Sequence, residues 1–332
     1  MVKRWLITGG CGFIGRNLIK SLLVEGDYHI RIIDNLKVGT RQDLAQVCKF
    51  EEIEKDSFLS SFALPVPSNI LIAGDILEAD LANEVCKDID VVVHLAANTG
   101  VAPSVENPRM DCETNVRGTL NYLEAARRNN VKRFVFASSG APVGEIEPPI
   151  HEELAPHPVS PYGASKLAGE GYCSAYYRTF GIETVVLRFG NVYGPLSSHK
   201  SSVIAKFIRQ ALAGEVCEIH GDGKQTRDFI YVTDLIEAIR LAASMPGIGG
   251  EVFQIATSRE HTVNEVAGLL KKMLYDKAGI HMRIFYGAER LGDVRRNYSN
   301  TEKAMKLLGW TAKTDLKRGL VRTMDWFLNS EK

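Results

Sequence analysis

Long apolar runs are missing from this 332-residue sequence, and so is any excess of charge. No segment approaches the roughly 20 apolar residues that a membrane-spanning helix needs. The run from Trp5 to Ile7 is broken by glycines and is too short for a secretory leader. Forty Lys and Arg balance forty Asp and Glu. No overall field therefore draws the chain to nucleic acid or to an acidic membrane, and an anionic ligand must be held by a few local cations. The six cysteines, at positions 11, 48, 86, 112, 173 and 217, form no Cys-x-x-Cys pair and stand near no histidine cluster. That argues against a metal site and predicts buried free thiols suited to a reducing compartment. Internal repeats and low-complexity tracts are absent as well. What remains is the expectation of a cytoplasmic protein with one large domain or two smaller ones, and with neither a nucleic-acid nor a membrane partner.

The first half alternates short apolar runs with helical patterns, the mark of βαβ units and a parallel sheet. Trp5 to Thr8, Ile30 to Asp34, Ile70 to Ala73, Val91 to Leu95 and Arg133 to Ser138 read as strands, with a helix over Phe13 to Glu25. The near-continuous apolar character of the later strands suits a sheet covered on both faces. Residues 35–69 are poorly patterned and predict one helix and a surface excursion. Two long helical patterns, Arg109 to Asn129 and Pro161 to Phe180, carry small and apolar residues on one face, including Ala125, Ala126, Ala164, Ala168 and Ala175. Such faces pair across subunit interfaces or against the chain's own sheet. From Ser201 the alternation loosens into a smaller mixed lobe, which ends in helical patterns over Thr301 to Leu308 and Asp315 to Asn329. The expected fold is a doubly wound α/β sheet of Rossmann type with a smaller mixed α/β C-terminal lobe. Residues 1–190 form the first unit and 191–332 mainly the second, with elements possible that return to the first.

Gly9, Gly12 and Gly15 lie between the first strand and its helix. Gly9 turns tightly, Gly12 lets backbone approach a diphosphate, and Gly15 lets the helix pack close to the strand. The helix N-terminus then offers free N–H groups to phosphate. Asp34 ends the second strand nineteen positions after Gly15, where a carboxylate accepts from ribose hydroxyls and repels a 2′-phosphate, so NAD is favoured over NADP. Lys37 is the one nearby cation that weakens this preference.

Tyr162 and Lys166 open the second long helix one turn apart, on one face. A phenol titrates near 10 in water, and lowering it to about 7 takes roughly 4 kcal/mol of preferential phenolate stabilisation. A partly desolvated lysine and the positive ring of an oxidised nicotinamide are the expected sources. Ser138 and Ser139 end the preceding strand.

Taken together, TGGCGFIG, DNL, GDI, HLAA, NVRGT, ASSG, SPYGASK, RFGNVYGP, GDGKQTRDFIYVTDL, RLGD and LGW, in that order from Thr8 to Trp310, resemble the extended short-chain dehydrogenase/reductases, and within them the UDP-hexose 4-epimerases. The resemblance implies that Ser139, Tyr162 and Lys166 are catalytic. It implies cofactor contacts from Phe13, Ile14, Asp34, Asn35, Asp75, Ile76, Leu95, Ala96, Ala97, Asn115, Tyr162 and Lys166. It assigns the nucleotide diphosphate and neighbouring sugar to Asn191, Arg227 and Arg290, the uridine ribose to Asp293, and the sugar's oxygen to Ser139. Its mechanism has Tyr162 as phenolate take the proton of the sugar's 4-hydroxyl while the C4 hydride passes to NAD. The 4-keto sugar swings over and hydride returns to its other face. A UDP-sugar substrate and a homodimer formed through the two long helices follow from the same resemblance.

Three departures fall where sugar identity is read. Pro142-Val143-Gly144 stands where the family has valine-tyrosine-glycine. Gly190 replaces a bulkier residue, which predicts extra room around the sugar, and Thr99 replaces a longer side chain. Among the rivals, dehydratases and decarboxylases place carboxylates just after the serine, whereas Gly140-Ala141-Pro142 supplies none. A uronate 4-epimerase finds possible carboxylate readers in Arg295 and Arg296, yet Leu196-Ser197-Ser198 lacks that group's arginine-bearing segment. A non-catalytic NAD- or RNA-binding member would be expected to lose Tyr162 or Lys166, or to gain a basic surface.

Overall fold

The computed structural model describes residues 3–26, 28–60, 68–289 and 294–330. Seven strands are laid down before residue 190: β1 (Lys3–Thr8), β2 (Tyr28–Asp34), β3 (Glu51–Glu52), β4 (Asn69–Ala73), β5 (Val91–His94), β6 (Arg133–Ser139) and β7 (Glu183–Phe189). The chain then leaves this sheet for β8 (Asn191–Tyr193), β9 (Val216–His220), β10 (Thr226–Arg227) and β11 (Phe229–Tyr231), and returns to it with β12 (Val252–Ile255). The parallel sheet has the order β3-β4-β2-β1-β5-β6-β7-β12. Strand order reverses between β1 and β5, and at that point the loops leaving the two strands diverge and open a crevice. Two further strands, β13 (His261–Thr262) and β14 (Arg283–Gly287), pair with β10 and β9.

Both sheet faces are covered, which explains the unbroken apolar character of Trp5-Leu6-Ile7 and Val91-Val92-Val93, all buried. One face packs on α1 (Phe13–Glu25) and the Val232–Ser244 helix, and its core takes in Ala304, Leu308 and Trp310 from the C-terminal segment. The other packs on Ile76, Leu81, Tyr122, Leu123, Cys173 and Tyr176. A third core, with Ile204, Phe207, Val266, Leu270 and Leu320 among its members, belongs to the C-terminal lobe. Among the described residues no helix is long and apolar enough to cross a membrane.

Two sequence expectations need revision. The pattern over 109–129 is three pieces: Pro108–Cys112, a π-helical turn at Glu113–Arg117, and Gly118–Arg128. Two contacts accompany the π-helical turn. The Thr119 hydroxyl donates to the Asn115 carbonyl at 2.6 Å, and Gly118 presses on Ile76 so closely that a Cβ would lie 2.6 Å from Ile76 Cδ1. Residues 35–60 hold more than one helix: Arg41–Ala45, capped by Thr40 and Asp43, then β3, then Lys55–Ser60. Of the cysteines, only Cys112 is exposed.

The close approach of α1 to the sheet is testable. A Cβ on Gly15 would lie 2.6 Å from Gly10 Cα and 2.6 Å from Gly9 O, backbone atoms that cannot swing aside. Gly15→Ala should therefore cost about 1–3 kcal/mol, as overpacking does. Gly171, exposed in the Pro161–Phe180 helix, has nothing within 4 Å of its would-be Cβ. Gly171→Ala should stabilise by up to about 1 kcal/mol through helix propensity. Urea midpoints that move the same way for both variants would contradict this packing.

Candidate active site

The glycine turn is built from contacts that only these residues allow. Gly9 has φ +69°, its N–H donates to Ile33 O at 2.7 Å, and a Cβ there would lie 2.9 Å from Ala96 N. Gly12 occupies the N-cap of α1 and offers no side-chain cap, so the first-turn N–H groups are left for an outside acceptor. The Asp34 carboxylate is fixed by the Cys11 N–H at 2.9 Å and the Leu36 N–H at 2.9 Å. Burial pushes its pKa up, and those two N–H groups pull it back. Asn35 donates to Asp75 at 3.0 Å, and Lys37 lies 3.5 Å from the same carboxylate. An uncapped helix end, a carboxylate one strand away and a turn too tight for side chains together fit a dinucleotide.

Leu95, Ala96 and Ala97 leave the end of β5 beside this turn. The Leu95 and Ala96 N–H groups donate to Thr8 Oγ1 at 3.2 and 3.1 Å. Asn115 stands on the π-helical turn, fully buried, with its amide committed to protein. Its Nδ2 shares two hydrogens among Asn98 O, Asp111 Oδ1 and Ser165 Oγ, each at 3.0 Å, and its Oδ1 accepts from Asn98 N at 2.8 Å. Its place in this structure is to hold the β5 loop against the Pro161–Phe180 helix. Ile76 is buried beneath Gly118.

Tyr162 and Lys166 lie in the first two turns of that helix, which Ser160 caps by accepting from Gly163 N at 3.1 Å and Pro161 opens. Lys166 is 3% exposed. Its ammonium donates to Ala137 O at 2.8 Å and sits 4.9 Å from the Phe136 ring and 6.0 Å from the Tyr162 ring. Burial pushes its pKa down to about 8, against the pull of Asp111 and Glu170. The Tyr162 phenol is pushed up to about 12 by burial, with the Ser139 hydroxyl pulling it back and Asp111 raising it further. The protein alone thus holds this phenol neutral, and the lowering expected from Lys166 is not yet present.

Two of the residues assigned to the sugar nucleotide, Asn191 and Arg227, are described. Asn191 begins β8, its N–H on Asp228 O at 2.7 Å. Arg227, on β10, donates through Nη1 to Thr226 O at 2.6 Å and Val294 O at 2.8 Å. Arg290 and Asp293 lie outside the described residues. The extra room expected at Gly190 is not found along its would-be Cβ direction. A Cβ there would lie 3.0 Å from Asp228 O and 3.2 Å from the Ala256 Cβ, so close packing accounts for the glycine.

Several participants carry no role in the sequence reading. His94 sits within a quoted motif, yet only the structure shows its work. Thr8 Oγ1 already accepts two N–H groups, so its proton goes to His94 Nδ1 at 3.0 Å. The remaining ring proton then belongs on Nε2, facing Thr119 Oγ1 at 3.3 Å, and Thr119 passes its own proton to Asn115 O. One neutral imidazole so ties the glycine strand to the π-helical turn. Glu170 accepts from Ser138 at 2.5 Å and from Arg188 at 2.9 and 2.7 Å. This buried group locks helix to sheet one turn beyond Lys166, and a single sequence gives no signal that residues 138, 170 and 188 meet.

The sequence model of the NAD dependent epimerase/dehydratase family matches residues 5–256. The chain belongs to this family. NAD is the family's cofactor, and its members are epimerases with dehydratase relatives. A putative UDP-glucose 4-epimerase of Methanocaldococcus jannaschii is 37% identical over 332 residues, covering 98% of this chain and 99% of that one. The crystal structure of a UDP-glucose 4-epimerase with UDP-glucose, from Thermotoga maritima, is similar with a TM-score of 0.86 and 33% identity, covering 99% of this chain and 100% of that one. A dTDP-glucose 4,6-dehydratase from Streptomyces venezuelae with NAD bound gives 0.86 and 29%, covering 99% and 98%. Backbone likeness therefore does not separate epimerase from dehydratase.

The neutral His94 carries a pH signature. Burial, with Lys166 adding to it, pushes the imidazole from 6.5 down to about 3. Between those values the unfolded chain binds the proton and the folded chain does not. Stability is thus full above pH 6.5 and falls as pH drops toward 3, by up to about 1.4 kcal/mol per unit from this group. His94→Gln should be less stable at neutral pH but flatter on acidification. An acid slope of urea midpoints identical to that of the parent would contradict the assignment.

Proposed function

We propose that the protein epimerises a UDP-linked hexose at C4, using the dinucleotide crevice between β1 and β5. The observation that carries the proposal is a buried Lys166 one turn from Tyr162 at the end of β6, with no carboxylate in Gly140-Ala141-Pro142. NAD, when bound by the α1 N-terminus, Asp34, Asn35, Asp75 and the Leu95-Ala96-Ala97 loop, supplies a hydride acceptor and a positive ring. Everything else falls to the chain. Tyr162 takes the proton from the sugar's 4-hydroxyl and gives it back on the other face, and Ser139 steadies the same oxygen. Lys166 holds positive charge behind the phenol.

Magnitudes show why charge is needed there. Bringing a phenol from about 12 to near neutrality takes about 7 kcal/mol. One cation at the 6.0 Å that separates Lys166 from the Tyr162 ring contributes about 3 kcal/mol at an effective dielectric of 20. Lys166 alone falls short, and the positive ring of the bound oxidised cofactor would add to it. On this reading the phenol keeps its proton until the cofactor is bound.

Asn191, Arg227, Arg290 and Asp293 are the proposed holders of the sugar nucleotide, on a lobe formed mainly by 191–332, with 1–190 as the cofactor unit. Arg295 pairs with Asp222 at 3.0 Å, and Arg296 with Glu260 at 2.8 Å and with Glu147. Both arginines that a uronate carboxylate would need already have acidic partners, which favours a neutral hexose. Exposed Met110, Tyr172, Tyr177 and Phe180 on the two long helical segments support the proposed homodimer. A cytoplasmic site of action is part of the same reading.

The decisive test is a panel of UDP-sugars followed by NMR without added NAD. A 4-epimer is the expected product, whereas a 4-keto-6-deoxy sugar or carbon dioxide would replace the reading with dehydration or decarboxylation. Tyr162→Phe should lose about 10²–10⁴-fold in turnover, as loss of a general base does, while keeping its fold by circular dichroism. Near-parental turnover would remove Tyr162 from the reaction.

A further inference from the structure

Lys200 ends the segment that follows β8, and three contacts pin that segment across α1. Arg16 Nη2 donates to Leu196 O at 2.7 Å, Asn17 Nδ2 donates to Pro195 O at 3.2 Å, and His199 Nε2 meets Asp43 Oδ2 at 3.0 Å. Asp43 is itself held by Arg16 Nη1 at 3.0 Å, with Arg16 only 1% exposed. Leu196 takes a positive φ of 68° within this segment, a conformation rare for a branched residue. The segment is thus over-determined, and it delivers one side chain to the glycine turn. Lys200 Nζ lies 5.4 Å from the centroid of the Phe13 ring, at the first residue of α1.

Among the described residues no carboxylate lies within 4 Å of this ammonium, although it is partly buried. Burial alone pushes its pKa down to about 8. The aromatic face steadies a cation without neutralising it. A desolvated positive charge with no counter-charge is unfavourable unless something anionic arrives. Its neighbour is an uncapped helix end whose N–H groups also want an anion.

We propose that Lys200 is a diphosphate-binding residue, reaching from the segment after β8 to close over the phosphates at the Gly9–Gly15 turn. The proposal rests on the dinucleotide reading of that turn and extends it to a residue outside the first unit. It links the two units chemically, because the same tethered segment leads into the C-terminal lobe. The diphosphate is that of NAD or that of the UDP-sugar, and the experiment separates them.

Purified protein and its Lys200→Met and Lys200→Arg variants are compared for NAD retained after dialysis and for UDP affinity by calorimetry on the holoenzyme. Melting temperature is recorded alongside. Lys200→Met should weaken binding by about tenfold or more, the size of one lost charge-assisted contact, while its melting temperature holds or rises because an unpaired charge has gone. Lys200→Arg should keep most of the affinity. A loss confined to NAD assigns Lys200 to the cofactor's phosphates, and a loss confined to UDP assigns it to the sugar nucleotide's. If parent and Lys200→Met hold NAD and UDP equally well, the proposal is wrong while the cofactor reading stands. If Lys200→Met melts lower and binds no worse, Lys200 is a packing residue and the proposal is again wrong. A parent protein that retains no NAD and takes none up would instead overturn the reading of the turn itself.

Discussion

A positive charge kept almost out of water at Lys166 governs the architecture around it. Desolvation works against that charge, and the structure answers with a carbonyl from Ala137, the Phe136 face and two nearby acids. The acids are not equivalent. Glu170 is already matched by the Arg188 guanidinium in a bidentate buried pair, so its field at Lys166 is largely cancelled. Asp111, fully buried and bonded to the Asn115 amide through Oδ1, with Ser165 and Asn98 also on it, has no ion pair of its own among the described residues; burial pushes its pKa up and Lys166 pulls it back. Asp111 and Asn115 stand four residues apart on one helix face, which lets the Asn115 amide reach both Asp111 and Ser165.

The same economy of charge explains how two units become one site. β12 pairs in parallel with β7, the Val232–Ser244 helix packs on α1, and Trp310 Nε1 donates to Asp234 O at 2.9 Å. Chain from beyond residue 190 is therefore part of the first core. Arg16 matters here because it is buried, on α1, and bonded to a carbonyl of the segment after β8. Removing it would leave buried Asp43 with only Thr40 and His199 as partners, so the contact is costly to break once made. Movement of one unit against the other would have to occur beyond this tether.

Much of the first unit was legible because its physics is local. Glycines at 9, 12 and 15, the apolar strands and Asp34 at a strand end are readable from spacing, and Tyr162 and Lys166 from helical phase. The π-helical turn was not, because the contact of Ile76 with Gly118 that accompanies it spans a loop. Nor were Thr8–His94–Thr119, Ser138–Glu170–Arg188 or Arg16–Asp43–His199, whose members lie far apart in sequence and signal only once the chain is folded. The phenol needs more than spacing. Spacing expects Lys166 and an oxidised nicotinamide to depress its pKa together, and in the protein without the nicotinamide burial pushes the group to about 12. Proximity along a helix gives the neighbour but not the dielectric.

Since an epimerase and a dehydratase match this backbone equally well, the chemistry has to be argued from the short segment after Ser139. Elimination of water from an oxidised sugar needs a group to protonate the departing hydroxyl and one to take the adjacent proton. Gly140, Ala141 and Pro142 have no titratable atom. The segment is also firmly placed: Val143 is fully buried, and Gly144 runs so close to His157 that a Cβ would lie 1.7 Å from its carbonyl oxygen. A carboxylate cannot enter by a small rearrangement of these residues. Under the proposed function, with a base that takes and returns one proton and no second acid–base pair in this segment, an oxidised sugar held there has one favoured exit, reduction back to an alcohol. Which face is reduced then depends on how freely the sugar turns while its diphosphate stays fixed, and that places selectivity with the phosphate-holding residues rather than with Tyr162 and Lys166.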